Sequence, residues 1–148
     1  MKIITLKQVG YNSGDYQKTV KLRDTILRKP LGLKFSSEQL EKEYLDIHIA
    51  CFSGQDLIGC LIFSPVDDVT FQMRQVAVDE NYQGKQIGTT IVKYSEEFAI
   101  NNGIKKIILQ AREVAVPFYL KLGYKKIGEQ FVEIGLPHWM MEKRLENN

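Results

Sequence analysis

Alternating and helical runs of apolar residues divide the chain into strands and helices. Ile4 and Leu6 lead an alternation that predicts a first strand over Lys2–Val9, followed by a turn at Tyr11-Asn12-Ser13-Gly14. From Asp15 to Leu27, Tyr16, Val20, Leu22 and Ile26 or Leu27 recur at helical spacing, and Pro30 with Gly32 stops that helix. Ser36 and Gln39 stand at capping-box spacing ahead of a short helix over Glu38–Tyr44.

Strand signals come next in quick succession. Ile47, Ile49 and Cys51 alternate within Leu45–Phe52, and Ser53-Gly54-Gln55-Asp56 turns the chain. Leu57–Ser64 is rich in Ile and Leu, with a turn expected from Pro65 to Asp68. In Val69–Val78 the apolar positions shift by one residue, from Val69, Phe71 and Met73 to Val76 and Val78. A β-bulge near Arg74–Gln75, or a strand buried on both faces, explains the shift. A helix with the stripe Ile87, Ile91, Tyr94 or Ser95 and Phe98 runs to about Asn101, with Gly103 as its C′ residue. Lys105–Gln110 reads as a short buried strand and Glu113–Leu122 as a helix with Pro117 in its first turn. Gly123–Phe131 and His138–Arg144 read as two closing strands, separated by a loop containing Gly135 and Pro137. Strands joined by short turns must be antiparallel, while a strand–helix–strand passage is a parallel crossover, so the sheet is mixed.

Composition narrows the picture without redirecting it. The 148 residues suit one domain, 1–148, and 44% hydrophobic with 26% charged residues is ordinary for a soluble globular protein. A net charge of +2 gives no argument for nucleic acid or an anionic membrane as a partner. Cys51 and Cys60 fall in apolar runs without metal or redox spacing, which predicts buried thiols in a reducing compartment and no metal. With no long apolar span, and Met-Lys-Ile-Ile too short for a signal peptide, the expected location is the cytoplasm.

The segment from Gln83 to Thr89 joins a strand to a helix, where first-turn N–H groups lack helical partners and the dipole favours an anion. Gly84 and Gly88 allow close backbone approach, and Lys85 adds positive charge. The segment has neither the Gly-Lys-Ser/Thr ending of a P-loop nor three spaced glycines for a dinucleotide. A bare turn is the competing reading of these residues alone.

Arg74-Gln75-Val76-Ala77-Val78-Asp79 followed by Gln83-Gly84-Lys85-Gln86-Ile87-Gly88 resembles the acetyl-CoA motif of GNAT acetyltransferases, Arg/Gln-x-x-Gly-x-Gly/Ala. Gln83 and Gly88 match it, and Gln86 replaces the middle glycine. Downstream, Ala115-Val116-Pro117-Phe118-Tyr119-Leu120-Lys121-Leu122-Gly123-Tyr124 resembles the second motif, Ala-x-x-Phe-Tyr-x-x-x-Gly-Phe/Tyr. The stretch Phe131–Met140 is similar to the ElaA/YjcF-like subgroup, and the chain is identified as a GNAT member.

The resemblance implies an α/β GNAT fold: a mostly antiparallel mixed sheet with one splayed parallel pair and about four helices. It implies acetyl-CoA as co-substrate, with the main chain of Val76 and Val78, flanking Ala77, pairing with the pantetheine arm. An N–H at the bulge polarises the thioester carbonyl in that scheme. Gln83, Gly84, Lys85, Gln86, Ile87, Gly88 and Thr89 would hold the pyrophosphate, and Phe118 would border the coenzyme. Arg112 stands where many relatives carry an Asn that touches the coenzyme, and would reach a phosphate or an acidic substrate, a solvent-exposed charge being the other reading. Tyr119 would protonate the departing thiolate, a packed helix tyrosine being the other reading. Arg74 would face the acceptor or make a surface ion pair. Glu133, His138 or an ordered water would take the amine proton, and His138 beside Trp139 also reads as structural.

The expected activity is acetyl transfer to a primary amine, on a small molecule or a protein, by direct attack in a ternary complex. Cys51 and Cys60 are then dispensable. Substrate selection is expected from the loops Pro30–Phe35, Pro65–Asp68 and Gly135–Trp139. The alternative is a non-catalytic acyl-CoA-binding sensor or interaction module, and the apolar closing strands leave a homodimer open.

Overall fold

The structure, a computed structural model, describes residues 3–146. Lys2, placed by the alternation at the head of the first strand, lies outside the described residues. In chain order the elements are β1 (Ile4–Val9), α1 (Gly14–Arg23), α2 (Ser37–Glu41), β2 (Ile47–Ser53), β3 (Asp56–Asp67), β4 (Thr70–Val78), α3 (Ile87–Asn101), β5 (Lys106–Arg112), α4 (Val116–Lys121), β6 (Lys125–Glu133) and β7 (Leu136–Arg144). The strands are hydrogen-bonded in the order β1-β2-β3-β4-β5-β7-β6. The sheet is mixed: β4 and β5 run parallel, pairing Thr70–Met73 with Lys106–Leu109. The chain packs as two compact units, residues up to Ser64 with Gln75–Ser95, and Pro65–Arg74 with the residues from Glu96 onward.

In the first unit, β1 and β2 are antiparallel from Ile4↔Ser53 to Val9↔His48, and β2 and β3 are antiparallel around a turn in which Gly54 has φ 60°. His48 to Ser53 and Ile58 to Phe63 are all buried, so these strands are covered on both faces and lose strict alternation. Cys60 packs with Leu22 of α1 and Ala77 of β4. Its neighbour Gly59 faces the other way, where an added Cβ would collide with Ile91 Cδ1 of α3 and press on Ile87. Glycine at 59 therefore lets the first turns of α3 lie directly on the sheet.

Ser13 caps α1 by accepting the Tyr16 N–H at 3.1 Å. The helix expected to Leu27 is α-helical only to Arg23. Asp24–Arg28 then form a π-helical turn closed by Lys29 N–H to Asp24 O, and Lys29–Leu31 a 3-10 turn ended by Gly32 at φ 71°. The capping box of Ser36 and Gln39 is present at α2, which passes into a 3-10 turn at Lys42–Leu45.

In the second unit, β5 and β7 are antiparallel from Lys106↔Arg144 to Arg112↔His138, and β6 pairs with β7. Two sequence expectations need correction here. Pro65 does not end β3: the strand continues to Asp67, and the chain reverses at Asp68-Val69, where Asp67 Oδ1 accepts the Val69 N–H at 2.9 Å. The loop expected around Gly135 and Pro137 is a tight hairpin, because Ile134 and Gly135 have φ 47° and 72°, the pair of positive angles of a type I′ turn. Pro137 consequently lies inside β7, opposite Val132. At the end of α3, Gly103 adopts φ 80° and Ile104 N–H reaches back to Ala99 O.

Candidate functional site

The strand–helix junction of the first unit is held by a short ladder of local bonds. Asp79 N–H donates to Ile58 O at 2.8 Å, and Asp79 Oδ1 accepts the Asn81 N–H at 2.9 Å, opening a 3-10 turn at Glu80–Tyr82. Gln83 Nε2 donates to Val78 O at 3.0 Å, so this side chain braces its own loop. Gly84 has φ 78° and Gln86 has φ 64°. The middle glycine of the motif is thus missing in residue type and kept in conformation, at about 1–3 kcal/mol of backbone strain.

The first bond of α3 runs from Thr90 N–H to Gln86 O at 3.0 Å, and Thr90 Oγ1 donates to the same oxygen. The N–H groups of Ile87, Gly88 and Thr89 therefore precede the helical ladder and have no acceptor within it. Gln83, Gly84, Lys85 and Gln86 are exposed, while Ile87, Gly88 and Thr89 are half-buried. A groove of about 950 Å³ adjoins the loop, lined among others by Lys18 and Lys21 of α1 and by Asp79, Tyr82 and Lys85. Lysines of two elements meet at this groove, a feature that net charge hid. The arrangement can bind a phosphate-bearing anion through backbone N–H groups, with lysines around it.

In β4 the break in alternation expected near Arg74–Gln75 coincides with Gln75 at φ 53°, the left-handed backbone of one class of bulge. Ala77 is the buried member beyond it, packed on Leu22 and Cys60, while Val76 and Val78 are half-buried. The side-chain amide oxygen of Gln75, Oε1, accepts from Arg23 Nη1 at 2.9 Å. Arg23 is fully buried and forks onto Glu43, with Nη1 and Nη2 each 2.8 Å from a carboxylate oxygen. Tyr16 donates its hydroxyl to Glu43 at 2.7 Å, and His48 Nε2 lies 3.0 Å from the Glu43 carbonyl. Sequence reasoning missed this network. Its one signal was position: Arg23 follows Tyr16 by two helical turns, on the apolar stripe of α1.

The second unit carries the remaining candidates. Tyr119 of α4 is buried, its ring 5.0 Å from that of half-buried Phe118 and 5.7 Å from that of Tyr124. Burial pushes its phenol up to about 12. Tyr124 donates to Glu96 at 2.8 Å, and burial, with the Glu96 charge, raises it further still. Arg112 is half-buried at the end of β5, opposite His138 on β7. His138 is buried, stacked on Phe131, with Nδ1 2.9 Å from Leu136 O. A carbonyl only accepts, so Nδ1 carries a proton and the neutral ring leaves Nε2 as its basic nitrogen. Glu133 and Arg74 are exposed. Cys51 and Cys60 are buried thiols pushed up by burial to about 11 and about 12, which keeps them unreactive.

A mixed sheet with a parallel strand pair, and a helix entered through a left-handed, lysine-flanked loop, define an α/β fold with a candidate anion site at the start of α3. Comparison with known proteins makes this more specific. The model of the Acetyltransferase (GNAT) family matches residues 17–124, and the chain belongs to that family. Two uncharacterized N-acetyltransferases of Bacillus subtilis are similar along most of their length. YitI is 27% identical over 140 residues, covering 88% of this chain and 92% of its own, and YjcF is 28% identical over 123 residues, covering 82% and 87%. Among solved structures, an aminoglycoside 6′-N-acetyltransferase complexed with coenzyme A shares the fold with a TM-score of 0.82 at 19% identity, covering 97% of this chain and 98% of its own.

Proposed function

We propose that the protein is an acyl-CoA-dependent N-acetyltransferase that moves an acetyl group from acetyl-CoA to a primary amine by direct attack. The observation that carries this reading is the 83–89 loop, whose left-handed Gly84 and Gln86 lead into the first-turn N–H groups of Ile87, Gly88 and Thr89, ahead of the first helical bond at Thr90. Membership of the family and the coenzyme A complex of a similar fold support it.

The fit to a pyrophosphate rests on chemistry: backbone donors at a helix start, with Lys85, Lys18 and Lys21 around the adjoining groove. The main chain of Val76 and Val78 holds the pantetheine arm. The kink at Gln75 supplies an amide that polarises the thioester carbonyl. His138 is the preferred acceptor of the amine proton, because its Nδ1 proton is committed to Leu136 O and leaves Nε2 basic. Tyr119, pushed up to about 12, is too weak an acid for full transfer to a thiolate whose conjugate acid lies near 8.5. It serves instead as a hydrogen-bond donor that stays protonated while negative charge builds on sulfur.

The test is acetyl-CoA-dependent thiol release over a panel of small amines, polyamines, aminoglycosides and peptides, with Tyr119→Phe alongside. Amine-dependent release that falls about tenfold or more in the variant supports the reading. Coenzyme binding without release for any amine would instead identify an acyl-CoA-binding module without turnover.

A further inference from the structure

The buried network of the first unit holds more charge than packing requires, and it ends on the strained residue of β4. Arg23 is 0% exposed. A buried guanidinium needs acceptors for its five N–H groups. Glu43 supplies two oxygens, and Glu43 is itself fixed by the Tyr16 hydroxyl. The remaining Nη1 proton goes to Gln75 Oε1 at 2.9 Å, while Nε has no partner among the described residues. Phe35 lies over the guanidinium at 5.2 Å and closes it off further. These bonds use three of the five N–H groups, so Arg23 has no spare acceptor with which to replace the Gln75 oxygen. Arginine only donates, so the atom it holds must be the side-chain amide oxygen of Gln75.

The backbone of Gln75 sits at φ 53°, a conformation that persists in a side-chain-bearing residue only when its surroundings impose it. Its side chain is clamped to α1 while its main chain kinks β4.

We propose that Arg23, held by Glu43, is a positioning residue that fixes the left-handed kink at Gln75 and so aims the amide there at the acyl thioester. This rests on the acetyltransferase reading, which places the thioester at that kink. Glutamine at 75 then serves as a latch, and its oxygen matters more than its volume.

The experiment uses the intact protein with acetyl-CoA labelled with carbon-13 at the carbonyl, and follows the carbonyl stretch and chemical shift on binding. No acceptor amine is required. In the wild type the stretch falls on binding. Gln75→Met keeps the length and the Arg23–Glu43 pair but removes the oxygen, and returns the stretch at least half-way to its free value. Gln75→Glu retains an oxygen for Arg23 and keeps the wild-type shift. With an acceptor in hand, Gln75→Met lowers kcat about tenfold or more while KM for acetyl-CoA stays within about twofold. Thermal melts of both variants establish that they fold, and the Arg23 pair they retain makes that the expected result. A carbonyl shift that persists in Gln75→Met, or a bound wild-type carbonyl identical to the free one, overturns the clamp. Failure of the wild type to bind acetyl-CoA overturns the coenzyme reading itself, and the clamp with it.

Discussion

Both units contain the same three-part device, a cation, a glutamate and a tyrosine, with the cation and the glutamate on different elements. In the first, Arg23, Glu43 and Tyr16 meet with contacts of 2.7–2.8 Å, and in the second Lys143, Glu96 and Tyr124 meet at 2.8 Å. The difference lies in solvent and in the spare donor. Side-chain exposure is 0% and 5% for the Arg23–Glu43 pair against 27% and 11% for Lys143–Glu96. Arg23 sends its spare N–H to Gln75 in β4, and Lys143 sends its own to Leu122 O at 2.7 Å, capping the helix that carries Tyr119. Identical chemistry thus has unequal stakes. A dry pair broken on one side strands a charge, whereas a wet one finds water.

The sharpest way to break the comparison is to remove each glutamate. Glu43→Ala strands the Arg23 charge and is expected to destabilise by about 3–5 kcal/mol. Glu96→Ala leaves Lys143 partly hydrated and is expected to lose about 1–2 kcal/mol. Urea titrations of the two variants decide the matter, and equal losses would show that burial does not set the difference.

Acid sharpens the same contrast. Burial of Glu43 opposes its ionisation, but the hydrogen bonds and charge of Arg23 outweigh it and hold the carboxyl below its usual value. Its stabilisation is therefore complete above the unfolded value of about 4.3 and fades as pH falls below it. Burial likewise outweighs the Glu43 carbonyl bond at His48 and lowers that imidazole, so its contribution begins to fade already below about pH 6.5. Stability measured against pH is expected to fall in two stages. His48→Gln removes the first stage, and a single stage in the wild type would count against buried neutral His48.

The smallest expected effect concerns strain rather than charge. Gln86→Gly relieves the left-handed backbone at φ 64° and is expected to raise stability by up to about 1 kcal/mol, with acetyl-CoA affinity unchanged. A loss of affinity on calorimetry would show that the Gln86 side chain itself contacts the coenzyme.

Much of the fold was legible because the strand signals are local. The alternation over 47–51, the apolar run at 107–109, the capping box at Ser36, and Gly103 after α3 each announce their element without reference to the rest of the chain. The loop ahead of α3 was legible as well, through the spacing of Gln83, Gly84 and Gly88, and it lies within residues 17–124, where the family matches. Helix ends were less so. Nothing in Asp24–Arg28 announces a π turn, since the choice between i+4 and i+5 bonding follows from packing. Pro137 suggested a loop and lies in a strand, because the I′ turn is set by the backbone of Ile134 and Gly135.

The sequence by itself determined the order of elements, the mixed sheet and the glycine-bearing loop ahead of α3, all of which depend on residues a few positions apart. Only the tertiary structure decided that Arg23, Glu43 and Gln75 form one network, since residues 20 and 52 positions apart meet only when the chain has packed. It also decided that Gln86 keeps the backbone of a glycine and that Tyr119 is pushed up to about 12. The physical reason is common to all three: desolvation and backbone strain belong to a residue's surroundings, and no local pattern of residue types encodes them.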